Sequence, residues 1–237
     1  MLSMKLFGAY EVHVDGMVPS GLWRRSGAQL LALLALYHDR DIRATWVAEL
    51  LWPGTGSLDS LDQCLKSARK ALGPEGCRLE LWNKVIRLRT DGAEIDVVTF
   101  DGALRAHHQR QETEALRSAI DLYRGPLLHS WDEGWALLER KTRKEQYLDA
   151  LQMLARRFQA AGDHASAVRY LRCLVKEKPS LESAWCELMM ALVELEERLE
   201  AIEVYKRYQQ HAHRISDGKL RPPPVMTQLL THIYTRV

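Results

Sequence analysis

A shift of 34 residues superposes the second half of this chain on itself. Ala150 falls on Ala184, Leu154 on Leu188, Phe158 on Leu192, Asp163 on Glu197 and Ala167 on Ala201. The matched positions combine small and large apolar residues at helical spacing. Small residues let two helices approach, and the large ones fill the space between them. One helix pair cannot bury its own apolar face, so the pattern calls for successive pairs stacked on one another.

Thirty-four residues is the period of tetratricopeptide repeats, whose stacked pairs leave a concave face suited to segments of other proteins. Helical patterns cover residues 112–122, 132–161, 165–177, 181–194, 199–212 and 225–234, with Gly162, Pro179 and Pro222 to Pro224 as punctuation. No strand signal follows Asp96. A boundary is therefore expected near residues 96–102, giving a mixed domain at 1–97 and an all-helical domain at 98–237.

The first part reads differently. In "MKLFGAYEVHVDGMVP" short apolar alternation is broken by Gly8 and by Asp15-Gly16, a hairpin signal, so two or three short strands are expected. "SGAQLLALLALYHDRD" carries Leu30, Leu33, Leu34 and Tyr37 at the i, i+3, i+4, i+7 spacing of a buried helix, with Ser26 as its expected cap. A second helix is expected at residues 46–51, ended by Pro53-Gly54. A third begins near Leu58 after Ser57 and runs through "LDQCLKSARKALG". "CRLELWNKVIRLR" then alternates Leu79, Leu81, Ile86 and Leu88 with charged residues around Trp82-Asn83-Lys84, which is the pattern of a β-hairpin.

Strands, three helices and a hairpin, in that order, describe a winged helix-turn-helix. The expected fold is thus α+β at the N-terminus followed by a tetratricopeptide-like all-α domain. In a winged helix the third helix enters the major groove of DNA and the hairpin touches the adjoining backbone or minor groove. Leu61, Leu65, Ala68 and Leu72 share the inward side of that helix, joined by Cys64. Ser60, Gln63, Lys66, Ser67 and Lys70 form the outward side. Gln63 has the bidentate amide that reads adenine, and the others suit phosphates or base edges. Asn83, Lys84 and Arg87 supply contacts from the hairpin. Arg69 is placed sideways, tying the helix to its own domain. Taken alone, such a face is also what a solvated helix presents; the hairpin behind it tips the reading toward DNA.

Charge neither demands nor excludes this. The chain carries a formal net charge of +2, and residues 1–97 hold twelve basic and twelve acidic side chains. Residues 58–89 hold seven basic against four acidic, so the excess is local. The near-neutral first domain motivates a rival reading: a degenerate winged helix on a protein-interaction module whose helical half docks a partner.

Three segments resemble the Streptomyces antibiotic regulatory protein family. "LFGAYEVHVDG", "LLALLALYHDRDIRATWVAELLWPG" and "LDQCLKSARKALG" are similar to its OmpR-type winged-helix domain. "ALRSAIDLYRGPLL", "SWDEGWALLERKTRKEQYLDAL" and "GDHASAVRYLRCLVKEKPSLESAWCELMMAL" resemble the bacterial transcriptional activator domain that follows it. The resemblance implies a sequence-specific transcriptional regulator that binds direct repeats near promoters as a homodimer and contacts RNA polymerase. By position it implies DNA contacts from Gln63, Lys66, Ser67 and Lys70 and from the segment between Asn83 and Arg87.

Other constellations point elsewhere or nowhere. His107-His108 and His211-x-His213 lack a further ligand at suitable spacing and read as surface residues, so no metal is expected. Trp46, Trp52, Trp135 and Trp185 fall at apolar helical positions and read as core. Trp82, at the hairpin tip, is the exception: an exposed indole there is placed to stack or wedge at DNA. No Walker A, GxGxxG, G-x-S-x-G or HExxH sequence is present, and Glu196-Glu197 reads as a solvated turn, so no enzyme activity and no cofactor are expected. Four cysteines without a CxxC pair, no signal peptide and no long apolar run imply a reduced, cytoplasmic protein without a membrane span.

Overall fold

The computed structural model describes residues 1–19, 25–110, 112–216 and 221–235. The chain forms two compact units, and neither is one continuous stretch: Met1–Arg110 groups with Asp121–Lys144, and Gln111–Ile120 with Glu145–Val237.

The first unit begins with β1 (Leu2–Lys5) and β2 (Glu11–Val14), paired antiparallel with Met4 opposite Val12. The Asp15-Gly16 turn does not join these two strands. It folds the chain back just after β2, with Asp15 and Gly16 both at positive φ and Val14 bonded to Met17. Helix α1 (Arg25–Leu36) is buried on nearly every side, as a helix apolar all round must be. Ser26 is not its cap, because it lies within the helix. β3 (Ile42–Arg43) leads into α2 (Ala44–Leu51) and α3 (Leu58–Leu72), both packed on α1. A 3₁₀ turn at Gly73–Arg78 precedes β4 (Leu79–Trp82) and β5 (Val85–Leu88). β5 lies between β3 and β4, all antiparallel. β6 (Glu94–Ile95) runs back beside β1, parallel to it.

Helix α4 (Asp96–Arg110) follows at once. Asp96 is its anchor: the half-buried carboxylate accepts the backbone N–H of Leu6, Phe7 and Val97 at 2.7–2.9 Å. Burial holds this carboxyl above its ordinary pKa, against the pull of those three donors. His107, expected at the surface, is 2% exposed, because it falls on the buried stripe of Val97, Phe100 and Leu104. The segment after Asp121 completes this unit. Leu128 N–H donates to the Leu6 carbonyl and Gly8 N–H to that of Pro126, which continues the pairing past the end of β1. Arg140, in the first turns of α6 (Gly134–Ala160), donates to the carbonyls of Leu127, Leu128 and Trp131. It thereby holds Leu128 at φ 45°.

The second unit contains α5 (Thr113–Leu122) up to Ile120, the remainder of α6, α7 (His164–Glu177), α8 (Glu182–Glu194), α9 (Arg198–Ser216) and α10 (Pro224–Thr235). The 34-residue repeat is present in its turns bond for bond. Asp163 N–H donates to Phe158, and Glu197 N–H to Leu192, each at 2.9 Å. Gly162 bonds to Gln159 and Glu196 to Val193, each at 3.0 Å. Gly162 and Glu196 are both at positive φ. Ala150, Leu154, Ala167, Ala184, Leu188 and Ala201 are all buried. Asp163 also caps α7 through Ser166 N–H. Trp185 donates to the Pro179 carbonyl at 2.8 Å and packs edge-on against Tyr208. α10 closes the stack against α8 and α9, burying Met226 and Ile233.

Trp135 and Trp185 are core residues as expected, whereas Trp46 is 38% exposed and leans on Tyr37, and Trp52 is only half-buried. Among the described residues no group of three or more His, Cys, Asp or Glu has metal-binding geometry, and no helix is long and apolar enough to cross a membrane.

Candidate nucleic-acid interface

Helix α3 is strongly two-sided. Leu61, Cys64, Leu65, Ala68 and Leu72 face the core. Gln63, Lys66, Ser67 and Lys70 are exposed and share the i, i+3, i+4, i+7 stripe opposite. Ser57 caps the helix by accepting the Ser60 N–H at 3.0 Å. The Ser60 hydroxyl, counted with the outward face in the sequence, lies 3.0 Å from that of Ser57 and is half-buried. It is part of the cap.

Two contacts lock the helix to the hairpin. Arg69 donates from Nε and Nη2 to the Leu79 carbonyl at 3.0 and 2.6 Å, so it does tie α3 to its own unit. Gly76 in the 3₁₀ turn lies so close to α3 that an added Cβ would sit 2.4 Å from the Arg69 carbonyl oxygen. The C-terminal end of α3 and the start of β4 are therefore fixed to each other.

The hairpin turns on Asn83 and Lys84, at φ 47° and 64°. Two successive left-handed residues make the type I′ geometry that matches strand twist, and Asn is suited to it. The Lys84 carbonyl accepts the Ala44 N–H at 2.8 Å, which pins the turn to the start of α2. The register places Glu80 opposite Arg87, Trp82 opposite Val85, and Arg43 of β3 beside Val85. These residues make up the outer face of the sheet; Leu79, Ile86 and Leu88 face inward and are buried. An open groove of about 890 Å³ runs from Arg69, Gly73 and Cys77 to Trp82, Asn83 and Arg87.

The cations here fall into two groups. Lys66 is held by Asp62 at 2.6 Å. Glu80 accepts Arg87 at 2.7 Å and stands 3.7 Å from Arg89, so one carboxylate serves both arginines. Its hydrogen bond holds the Arg87 pKa above the ordinary value. Lys70, Lys84 and Arg43 have no ion pair among the described residues and are exposed. The structure thus gathers Gln63, Lys66, Ser67 and Lys70 on one stripe and Asn83 with Lys84 at the hairpin tip, while Arg87 lies along the outer sheet beside Glu80. Arg43 was not singled out from the sequence. Its strand has two residues and exists only through pairing with β5, although the alternation in "DIRAT" is a trace of it.

Residues 95–219 match the bacterial transcriptional activator domain. The chain belongs to that family. It is a family of transcriptional regulators and not a class of enzyme. The whole chain is also similar in fold to a solved structure, Mycobacterium tuberculosis EmbR in complex with a low affinity phosphopeptide. The TM-score is 0.73 at 23% identity, over 99% of this chain and 65% of that one. The winged helix followed by the activator domain is the architecture of the Streptomyces antibiotic regulatory protein type. The chain thus spans about two thirds of the length of EmbR. No curated protein sequence matches it.

Proposed function

We propose that this member of the activator-domain family is a sequence-specific regulator that binds duplex DNA through residues 1–97. Residues 98–237 then carry dimerisation and contact with RNA polymerase, at direct repeats near promoters. The observation that carries the reading is the exposed stripe of Gln63, Lys66, Ser67 and Lys70 on α3, fixed through Arg69 to a basic hairpin. A Gln amide among short polar and cationic side chains is the chemistry of a base-reading helix flanked by phosphate contacts. The family's role in transcription supports it. The test is selection from random duplexes with the full-length chain, followed by anisotropy titrations at several salt concentrations. Enrichment of a tandem site with steep salt dependence is expected. Absence of any enriched site, with weak salt-insensitive binding, refutes it.

The pairing of Lys66, Arg87 and Arg89 with carboxylates favours a second reading, in which the winged helix no longer grips DNA and the helical repeats dock a protein partner. It predicts no salt-sensitive duplex binding and a partner recovered on the full chain that tolerates loss of Lys70 and Lys84.

A further inference from the structure

Trp82 is an anomaly in the economy of this fold. It is 78% exposed, and Leu81 beside it is 37% exposed. Its strand pairing points it to the outer face of the sheet, so no element of its own unit covers it. Nor is it carried on a loose loop. The turn next to it has two left-handed residues and is bonded to the start of α2. The strand that bears it is clamped to α3 at Leu79. From Leu79 to Trp82 is three residues, or about 10 Å of strand. The indole is thus held about 10 Å along the strand from the point where β4 is fixed to α3.

The groove beside it carries both signs, but its carboxylates, Asp41 and Glu80, lie next to Arg87, whereas the unpaired cations sit next to the indole. Lys84 follows at the turn, and Arg43 lies across Val85 on the neighbouring strand; neither is ion-paired among the described residues. The groove between α3 and the hairpin has Trp82 in its lining and opens along this side. An apolar plate flanked by unpaired cations suits a surface that is both stacked and polyanionic. Nucleic acid has that chemistry; a lipid surface or an apolar protein face lacks one half of it.

We propose that Trp82 is a DNA wedge: its indole enters the edge of the minor groove next to the α3 site, stacks at a base step and bends the duplex. This rests on the DNA-binding reading. The wedge adds deformation of the DNA to what α3 reads directly, and favours sites with an easily unstacked pyrimidine–purine step beside the α3 contact. A pinned hairpin suits this role because little conformational freedom is lost on insertion.

The test compares full-length wild type, Trp82→Ala and Trp82→Phe on a selected duplex of about 30 base pairs, read by anisotropy and by energy transfer between end labels. An exposed side chain is replaced, so folding is retained; thermal melting checks it. Trp82→Ala is expected to bind about tenfold more weakly, within the range of aromatic–base stacking. It should also lose most of a bend of some tens of degrees. Trp82→Phe should keep most of both. If Trp82→Ala binds and bends as wild type does, or if wild type binds without bending, the wedge is overturned while DNA binding stands. If wild type binds no duplex at all, the underlying reading falls as well. If Trp82→Ala changes only the oligomeric state in sedimentation, the indole belongs to an interface between copies, and the wedge is overturned.

Discussion

Replacing Glu80 with glutamine should tighten duplex binding and steepen its salt dependence. In the structure one carboxylate holds Arg87 at 2.7 Å and stands 3.7 Å from Arg89. Glutamine keeps the side-chain length and one acceptor oxygen but removes the charge that ties down both guanidinium groups. Each additional phosphate contact adds about 0.9 to the slope of log affinity against log salt, so one or two released arginines add about 0.9–1.8. At about 0.1 M salt, one decade below the 1 M reference, that corresponds to about eightfold tighter binding for one new contact and about sixtyfold for two. Folding should hardly respond, because exposed ion pairs contribute little to stability. The assay is anisotropy between about 50 and 200 mM salt on the selected duplex, with thermal melting as the control. An unchanged slope and affinity in a folded Glu80→Gln protein would refute the placement of the outer sheet face against DNA.

Lys70→Ala should weaken binding more than Lys66→Ala, because Lys66 already spends its charge on Asp62; equal losses in the same titration would contradict this. Gly76→Ala should destabilise the chain by about 1–3 kcal/mol in urea melts, as overpacking does, because the new Cβ would meet the Arg69 backbone, which has no free end to swing away. Asp96→Asn should cost about 1–3 kcal/mol by mispairing the N–H groups of Leu6 and Phe7. It should also change the pH profile. Burial raises the Asp96 pKa above its ordinary 3.8, so the folded state binds that proton more tightly than the unfolded chain. The stability it adds is fully present below 3.8 and is lost as pH rises through the folded-state value. The asparagine variant lacks that component, which denaturation midpoints between about pH 3 and 6 would reveal.

What could be read in advance was local. α3 carries its own start signal in Ser57, its own inward stripe and its own stop at Gly73, and all three lie within 17 residues of sequence. The repeat was legible because matched small and large apolar residues recur at a fixed spacing, and its turns repeat the same hydrogen bonds. What was missed depends on partners far away in sequence. β6 is two residues long and exists because β1, some ninety residues earlier, lies beside it. α4 went unnoticed although Val97, Phe100 and Leu104 mark one face, because its cap is shared with the loop after β1 rather than with a neighbouring turn. Within the candidate interface the outward stripe of α3 was readable, but the neutralising role of Glu80 was not. It requires the register of β4 against β5, and a one-residue slip would have moved Glu80 to the other face.

The discontinuity of the first unit sets a timetable for synthesis. A ribosome that has made residue 110 has finished α1 to α4, yet the backbone groups of Leu6 and Gly8 that will pair with Leu128 and Pro126 still face water. At about 5–20 residues per second, the stretch up to residue 144 takes about 2–7 s more. Until then the nascent chain displays a complete α3 on an unfinished scaffold, with the Leu6 carbonyl and Gly8 N–H beyond the end of β1 unpaired, and unpaired strand-like backbone invites a neighbouring chain. The segment containing Arg140 is thus the last piece of the unit to emerge and the one that secures the pairing with Leu6 and Gly8. A nonsense mutation between residues 110 and 126 leaves a fragment that bears every residue of α3 and the hairpin but keeps the backbone of Leu6 and Gly8 open to association.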